Sequence, residues 1–566
     1  MHRAKGVFML NRRGVIIAVA ALAVSFSGGA FRLHAQEPVS LTGHIKSDDE
    51  GLMEGVAVSA RRAGSNMTLT VISNEKGVYA FPQNRLEANQ YSITVRAVGY
   101  DLASPVTVAV SPQSPATLDL QLRKLSDISS QLTNAEWLMS VPGTQQQKNG
   151  VSGCVSCHTL QRIFKSGHDA DEFVQVMVRM AGYAPGSNPL KPQRRVDQIE
   201  PIKPERFRKQ AEWLAAVNLS SVSKWEYPLK TLPRPIGRAT RVMITEYDLP
   251  RKVAMPHDVI VDVSGTAWYS DFGSQYLGKL DPRTGKVTEY PIPEFKSGFP
   301  QGSLDIEIDK DGSIWQGMML QGGIVKFDPR TEKFHTFPLS PNINSDVAQQ
   351  AMVMPASFTV DGKVWMNNVG IRGIHRLDLA SGKFETFRPY QALGLGSGGM
   401  DTGGHSVYGI AADSKNNLYF MDFGSENIGR VDAQTGRIKL LPTPTRDSHP
   451  RRGHMDVEDR LWFAEYLADK VAMLDTKNEK FTEWAVPTKW TWPYDVVPDK
   501  NGDLWTGSMS SDRIVRLNPK TGQVVEYLLP RSTNVRRVFV DNSTTPVTFW
   551  VGNNNGASVI KLEPLD

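Results

Sequence analysis

The chain has 566 residues, a formal net charge of +5 and two cysteines, with 40% hydrophobic and 22% charged residues. At about 100–200 residues per domain, that length predicts three or four folding units, and the composition is that of an ordinary globular protein. Two cysteines in so long a chain exclude a disulfide-stapled scaffold and any four-thiolate metal site.

Residues 1–35 contain Arg3, Lys5, Arg12, Arg13 and Arg32 and no acidic residue. A basic start is followed by the apolar run Val15–Val24 and then by small residues up to Ala35. This layout predicts a secretory signal peptide cleaved after Ala35, with a core too short for a permanent membrane helix; an uncleaved N-terminal anchor is the alternative. The leader carries the whole positive excess, so the mature chain is formally neutral. A nucleic-acid partner thereby loses its electrostatic footprint. The expectation is a bacterial protein, periplasmic or secreted, with no permanent membrane span once the leader is removed.

Residues 38–124 read as short alternating strands such as Leu41–Ile45, Gly55–Ala60 and Tyr91–Val95, punctuated by Gly, Asn and Asp. That pattern predicts a small antiparallel β-sandwich. Gly43-His44-Ile45, Glu54 to Val58, Asn74 to Phe81 and Tyr91 to Tyr100 resemble the carboxypeptidase regulatory-like (transthyretin-like) domain. The resemblance implies an adhesion or spacer module, and no catalytic constellation falls within it.

Residues 126–225 change to helical periodicity. One helix is predicted over 127–139, a second from Asp171 to Ala181 with Phe173, Val174, Met177 and Met180 on one face, and a third opening at Pro204. Pro-rich text at 228–235 predicts a linker. Both cysteines of the chain fall in Cys154-Val155-Ser156-Cys157-His158. At this spacing two sulfurs can add to the heme vinyl groups while the adjacent His reaches the iron from one side. A disulfide, or a zinc pair short of two further ligands, is the alternative use. The region resembles a mono-heme cytochrome c domain, which implies covalent heme c on Cys154 and Cys157 with His158 as proximal ligand. Met180 is the first candidate for the distal iron ligand, with Met177 and His168 as the others.

Residues 240–566 repeat themselves. An aromatic anchor recurs at Trp268, Trp315, Trp365, Tyr419, Trp462, Trp505 and Trp550. A turn follows each of the first six, as in Asp281-Pro-Arg-Thr-Gly-Lys and Asp432-Ala-Gln-Thr-Gly-Arg. A repeat of about 45 residues holding four short strands predicts a propeller blade. The seventh repeat stops before its outer strand, and Ile244–Pro250 supplies one ahead of the first blade. A ring of seven blades closed by that N-terminal strand is therefore expected. The fold class is multidomain and mainly β: sandwich, small all-α cytochrome c domain, and seven-bladed propeller.

Pro256-His257-Asp258-Val259-Ile260, Ala267 to Asp271 and Arg460 to Glu465 resemble the streptogramin B lyase (virginiamycin B lyase) family. The resemblance implies a His acting as general acid or base beside Mg²⁺ in an elimination that opens a cyclic depsipeptide. His257 and Asp271 fall at the matching positions, but Met255 stands where the family has a metal-ligating Glu, and a thioether serves Mg²⁺ poorly. The residues three after each anchor include Asp271, Asp422 and Glu465, which equivalence would place around one opening. Arg451, Arg452 and His454 precede the Glu465 strand as candidates for ion pairs or an anionic substrate. The Gly-rich insertion Gly394–His405 lacks the strand–turn–helix context of a nucleotide cradle, and is expected to be a loop or a lid carrying His405.

Three functions compete. The first is an exported electron-transfer protein whose propeller binds or converts a small-molecule or peptide-like substrate at its mouth and whose heme serves a periplasmic redox partner. The second is a Mg²⁺-dependent carbon–oxygen lyase, and the third a binding or scaffold protein without catalysis.

Overall fold

A computed structural model describes residues 38–196, 202–221, 227–354, 361–395 and 404–566. The leader lies outside the described residues, as do positions 396–403 of the Gly-rich insertion. From Val39 to Asp566 the chain forms one compact unit. No helix among the described residues is long and apolar enough to cross a membrane.

The N-terminal segment is a β-sandwich, as the alternation predicts. In one sheet Val39–Ser47 pairs with Gly51–Leu52, Val78–Pro82, Ala116–Thr117 and Leu120–Lys124, with Tyr100–Leu102 beyond the last. The other sheet orders Met67–Ile72, Ala57–Arg62, Asn89–Arg96 and Val106–Val110. Leu41, Ile45, Val58, Phe81, Ile93 and Leu120 fill the space between them.

Six separate four-stranded antiparallel sheets follow. Their first strands are Pro256–Val261, Ile306–Ile308, Val353–Met354, Val407–Ala412, Pro450–Met455 and Pro493–Pro498. Each first strand lies beside the next, and Val538–Asp541, which opens the seventh set, touches both Pro493–Pro498 and Pro256–Val261. The ring of this propeller-like fold is thus closed. The seventh set is completed by Val242–Asp248, antiparallel to Ser558–Pro564 from Val242↔Pro564 to Asp248↔Ser558, as the truncated last repeat predicts.

The opposite edge of Val242–Asp248 is filled as well. It pairs antiparallel with Met67–Ile72 of the sandwich, Met243 against Val71 through Tyr247 against Met67. One eight-stranded sheet therefore runs from the propeller into the sandwich. Ion pairs of Arg96 with Asp512 and of Arg61 with Asp248, each at 2.6 Å, lie along this junction.

The aromatic anchors owe their recurrence to a buried hydrogen bond. The indole Nε1 of Trp268, Trp315, Trp462 and Trp505 donates at 2.8–2.9 Å to an Asp six residues earlier, namely Asp262, Asp309, Asp456 and Asp499. The same carboxylates accept backbone N–H groups of the turn, as Asp499 does from Asn501 and Asp503. An orphaned indole and two orphaned amides would cost more than the bonds contribute.

The helical segment departs from expectation in three ways. The first helix is Asn134–Ser140 rather than 127–139, because Thr133 and Glu136 form a capping box that fixes its start. The second, Ala170–Ala181, is capped by Asp169 with Glu172, close to the prediction. The third is a 3₁₀ turn, Pro204–Phe207, running into Arg208–Ala216. The second departure is that the segment does not stand apart as a small all-α domain. Trp137, Phe164, Phe173 and Leu214 belong to one apolar cluster with Met255, Phe272, Tyr408, Trp492 and Tyr494 of the propeller. Third, residues 228–235 are a strap rather than a linker. Leu232 N–H donates to Glu136, Lys230 N–H to Ser140, Arg234 pairs with Glu50, and Arg513 donates to Pro233 O. Prolines that lack N–H donors leave carbonyls free for side chains of the neighbouring elements.

The Asp499→Ala variant is expected to lose about 1–3 kcal/mol of stability, the desolvation cost of the groups it orphans, read as a lowered denaturant midpoint at unchanged slope.

Candidate functional site

The Cys154–His158 turn is docked on the propeller. Val155 O accepts from Asn534 Nδ2 and Asn555 Nδ2, each at 3.1 Å. Ser156 O accepts from Arg536 at 3.1 Å and from Asn554 at 3.4 Å. Ala135 N–H donates to Ser510 O at 2.9 Å, fixing the preceding helix to the sixth sheet. At the neighbouring first and second sheets, Gln193 exchanges hydrogen bonds with the Gln301 backbone, and Lys191 donates to Gly273 O. Gly186, at φ +82°, passes so close that a Cβ there would stand 2.1 Å from Phe272 O, so only glycine fits. The helical segment is therefore docked on consecutive parts of the ring, from the sixth sheet through the seventh to the first and second.

Both cysteines are free thiols. Burial, and then the neighbouring Cys157, push the Cys154 thiol up to about 12; burial raises Cys157 too, with Arg536 opposing. Both are thus protonated at neutral pH. His158 Nδ1 lies 3.1 Å from Thr159 O. When Nδ1 donates there, Nε2 keeps its lone pair and the ring is oriented, as a metal-ligating imidazole requires. Burial lowers the His158 pKa and favours that neutral form. Two unpaired thiols and an oriented neutral His fit covalent heme c. Met180 sits in the last turn of Ala170–Ala181 and is 40% exposed, so the predicted apolar face ends before it. Met177 packs against the shared cluster, and His168 meets Glu172 and the edge of Phe173.

The axis is lined by pairs of consecutive residues. The register between first and second strands shifts at 256–259, 407–410, 450–453 and 493–496. A bulge of this kind puts two neighbouring side chains where a regular strand offers one. His257 and Asp258, Arg451 and Arg452, and Tyr494 and Asp495 occupy three of these bulges. Pro256, Pro450 and Pro493 immediately precede them, and this Pro-led repeat is a sequence signal that the spacing of the aromatics overlooks.

His257 is completely buried rather than open at a mouth. Its Nδ1 lies 2.5 Å from Asp258 Oδ1 and its Nε2 3.1 Å from Tyr494 OH, which also meets Tyr408 OH. Burial, followed by Arg536, Arg452, Arg451 and Arg537, lowers its pKa well below the usual range, so it is a neutral imidazole. Asp258 also accepts from Arg452 at 2.8 Å, and Arg452 contacts Asp305 as well. Arg537 reaches Glu307 at 2.7 Å, and His454 reaches Asp495 at 3.0 Å. A small cavity lies beside this network, lined by Asp305, Glu307, Met352, Arg452 and His454.

The three expected carboxylates are held within their own surroundings and do not form one cluster. Asp271 is paired with Arg251 at 2.6 Å and accepts from Met255 N–H and Gly273 N–H. Asp422 meets His405 Nδ1 at 2.6 Å and Tyr390 OH at 3.0 Å. His405 stacks on Tyr390 with ring centroids 4.8 Å apart, so it is tied down rather than carried on a lid. Glu465 is buried with neither carboxylate oxygen hydrogen-bonded. Burial, and next Glu483, push it up to about 8. Among the described residues no three His, Cys, Asp or Glu side chains come together to hold a metal ion. With Met255 at the Glu position, Asp271 spent on Arg251 and His257 spent on Asp258 and Tyr494, this donor set does not fit Mg²⁺.

Residues 399–564 match the virginiamycin B lyase family, and residues 40–123 match the carboxypeptidase regulatory-like domain. No curated protein matches the chain. Among solved structures, virginiamycin B lyase from Staphylococcus aureus is 21% identical over 57% of this chain and 99% of its own, with a TM-score of 0.48. A streptogramin B lyase structure is 19% identical over 58% and 99%, also at 0.48. The extracellular domain of a putative one-component system from B. thetaiotaomicron is 15% identical over 55% and 40%, at 0.42. The chain is thus a mainly-β multidomain protein with a carboxypeptidase regulatory-like sandwich and a C-terminal propeller-like fold.

Two outcomes check this site. In folded heme-free protein, iodoacetamide is expected to label neither thiol at pH 7 and both after unfolding in urea, by mass spectrometry. Glu465 has a folded pKa above its unfolded value, so its stabilising share is whole below about 4.5 and is lost as pH rises toward about 8. Glu465→Gln is expected to flatten the fall in melting temperature across that window.

Proposed function

We propose that the chain is an exported c-type heme protein in which the helical segment transfers electrons at the closed mouth of a substrate-binding propeller. The observation that carries the reading is the docking of the Cys154–His158 turn on the propeller's axis by Asn534, Arg536, Asn554 and Asn555. An attachment motif held by four side chains of another element puts whatever it carries next to the substrate-binding part of the fold. Cys154 and Cys157 would hold the porphyrin through thioethers, and His158 Nε2 would bind its iron. Heme c supplies one-electron chemistry when bound.

The chain's own residues orient and insulate that site. Thr159 O holds the His158 ring, the apolar cluster of Trp137, Phe164 and Phe173 packs against Cys154 and excludes water there, and Arg536 places a positive charge beside Cys157. Met180, Met177 or His168 as distal ligand, a periplasmic redox partner and a small-molecule or peptide-like substrate belong to this reading. The lyase-type propeller supports substrate binding. A Mg²⁺-assisted lyase, the second reading, retains the fold and a neutral His257, which is a base by protonation state; its metal ligands are those that do not fit. A non-enzymatic extracellular scaffold shares the sandwich but gives the placing of both cysteines in one Cys-X-X-Cys-His motif no role.

Coexpression with a periplasmic heme-attachment system is expected to yield protein with the sharp α-band of a reduced c-type heme that survives denaturation and acid–acetone extraction. Cys154→Ala with Cys157→Ala is expected to abolish it, and His158→Ala to keep covalent heme while altering the spectrum. Absence of any covalent heme in the wild type sinks the reading. In parallel, depsipeptide opening that needs Mg²⁺ and is lost in His257→Ala would establish the lyase.

A further inference from the structure

The charged residues of the axis fall into two groups of opposite character. Arg452 and Arg537 share the carboxylates of Asp258, Asp305, Glu307 and Asp495. Arg451 and Arg536 share none: among the described residues neither forms an ion pair. Both are at least nine-tenths buried.

Arg451 is enclosed by the rings of Tyr408, Phe423, Tyr466 and Tyr494, whose centroids lie 4.2–5.5 Å from its guanidinium carbon. Its Nε has no hydrogen-bond partner, and neither does the buried Tyr466 hydroxyl. Arg536 donates only to Asn534 Oδ1 and Ser156 O and rests over Phe272. Aromatic faces attract a cation but do not neutralise it, and neutral oxygens do not balance its charge. A buried charge left without its counter-ion is costly, and a fold that buries two of them at one axis is built for an anion. The walls of tyrosine and phenylalanine suit an anion attached to an apolar body, and a guanidinium matches a carboxylate's two oxygens.

We infer that Arg451 and Arg536 form a carboxylate-binding site at the propeller axis, beneath the Cys154–His158 turn. The carboxylate has two possible sources, a propionate of heme c held on Cys154 and Cys157 or a free small acid entering the mouth. The first source rests on the heme reading; the second does not.

The test uses the full chain prepared with and without heme attachment, with acetate and benzoate as calorimetric probes. Arg451→Met and Arg536→Met remove the charge at near-constant volume, Arg451→Lys keeps it, and thermal melts confirm folding. In heme-free wild type benzoate or acetate binds, and each Met variant binds at least tenfold more weakly, with Arg451→Lys recovering part of the loss. Heme-free Arg451→Met melts at or above the wild-type temperature, because an uncompensated buried cation has gone. If propionate is the occupant, heme-loaded protein no longer binds the probes, and its midpoint potential moves negative in both Met variants. If a free acid is the occupant, loaded protein still binds them. Probe affinity absent from heme-free wild type, or unchanged in both folded Met variants, overturns the inference. Failure of heme attachment alone removes the heme reading and leaves the heme-free titration to decide this one.

Discussion

A β-strand has two hydrogen-bonding edges, and in Val242–Asp248 both are filled by distant parts of the chain. One edge takes Ser558–Pro564 and thereby closes the ring; the other takes Met67–Ile72 and joins the sandwich to it. An unfilled edge on either side would be a row of unpaired backbone groups open to another chain. Because one strand serves both closures, the seventh sheet and the sandwich form a continuous surface. Residues 228–235 cross that corner, tied to Glu136, Ser140, Glu50 and Arg513. The helical segment is thereby held to the face where the axis opens.

The axis gains its chemistry from local irregularity. In a regular strand only alternate side chains would point inward, yet the shifts at Pro256, Pro450 and Pro493 bring both members of His257–Asp258, Arg451–Arg452 and Tyr494–Asp495 to the centre. The two members of each pair then separate by chemistry. His257, Arg451 and Tyr494 join aromatic neighbours near the Cys154–His158 turn, while Asp258, Arg452 and Asp495 enter the ion-pair network. Charge is thereby sorted across a single residue step.

Much of the architecture was legible from residues alone. The Asp-led turns, the aromatic anchors and the spare strand at Ile244–Pro250 are local signals, and each corresponds to a local cause: a capped turn, an indole bonded to an Asp six residues back, an edge that needs a partner. The site was legible in part. Cys154, Cys157 and His158 stand out by their spacing and His257 by its place in a repeat, and the structure sets both beside buried charges at the axis. Asp271, Asp422 and Glu465 occupy equivalent positions, but Arg251, His405 and Glu483 give each a different environment. Equivalence within a repeat specifies where a side chain starts, not which neighbour it meets. Arg536 carried no motif at all.

Periodicity, turn chemistry and cysteine spacing are properties of neighbours along the chain, so the sequence by itself determined the sandwich, the number of repeats and the Cys154–His158 spacing. Which groups are buried against which is a property of neighbours in space. Only the tertiary structure decided that the Pro-rich stretch is a strap, that His257 is enclosed, that Met180 is exposed, and that two guanidiniums share the axis without a carboxylate. Burial makes the difference physical, because an exposed arginine is satisfied by water and a buried one must find its anion.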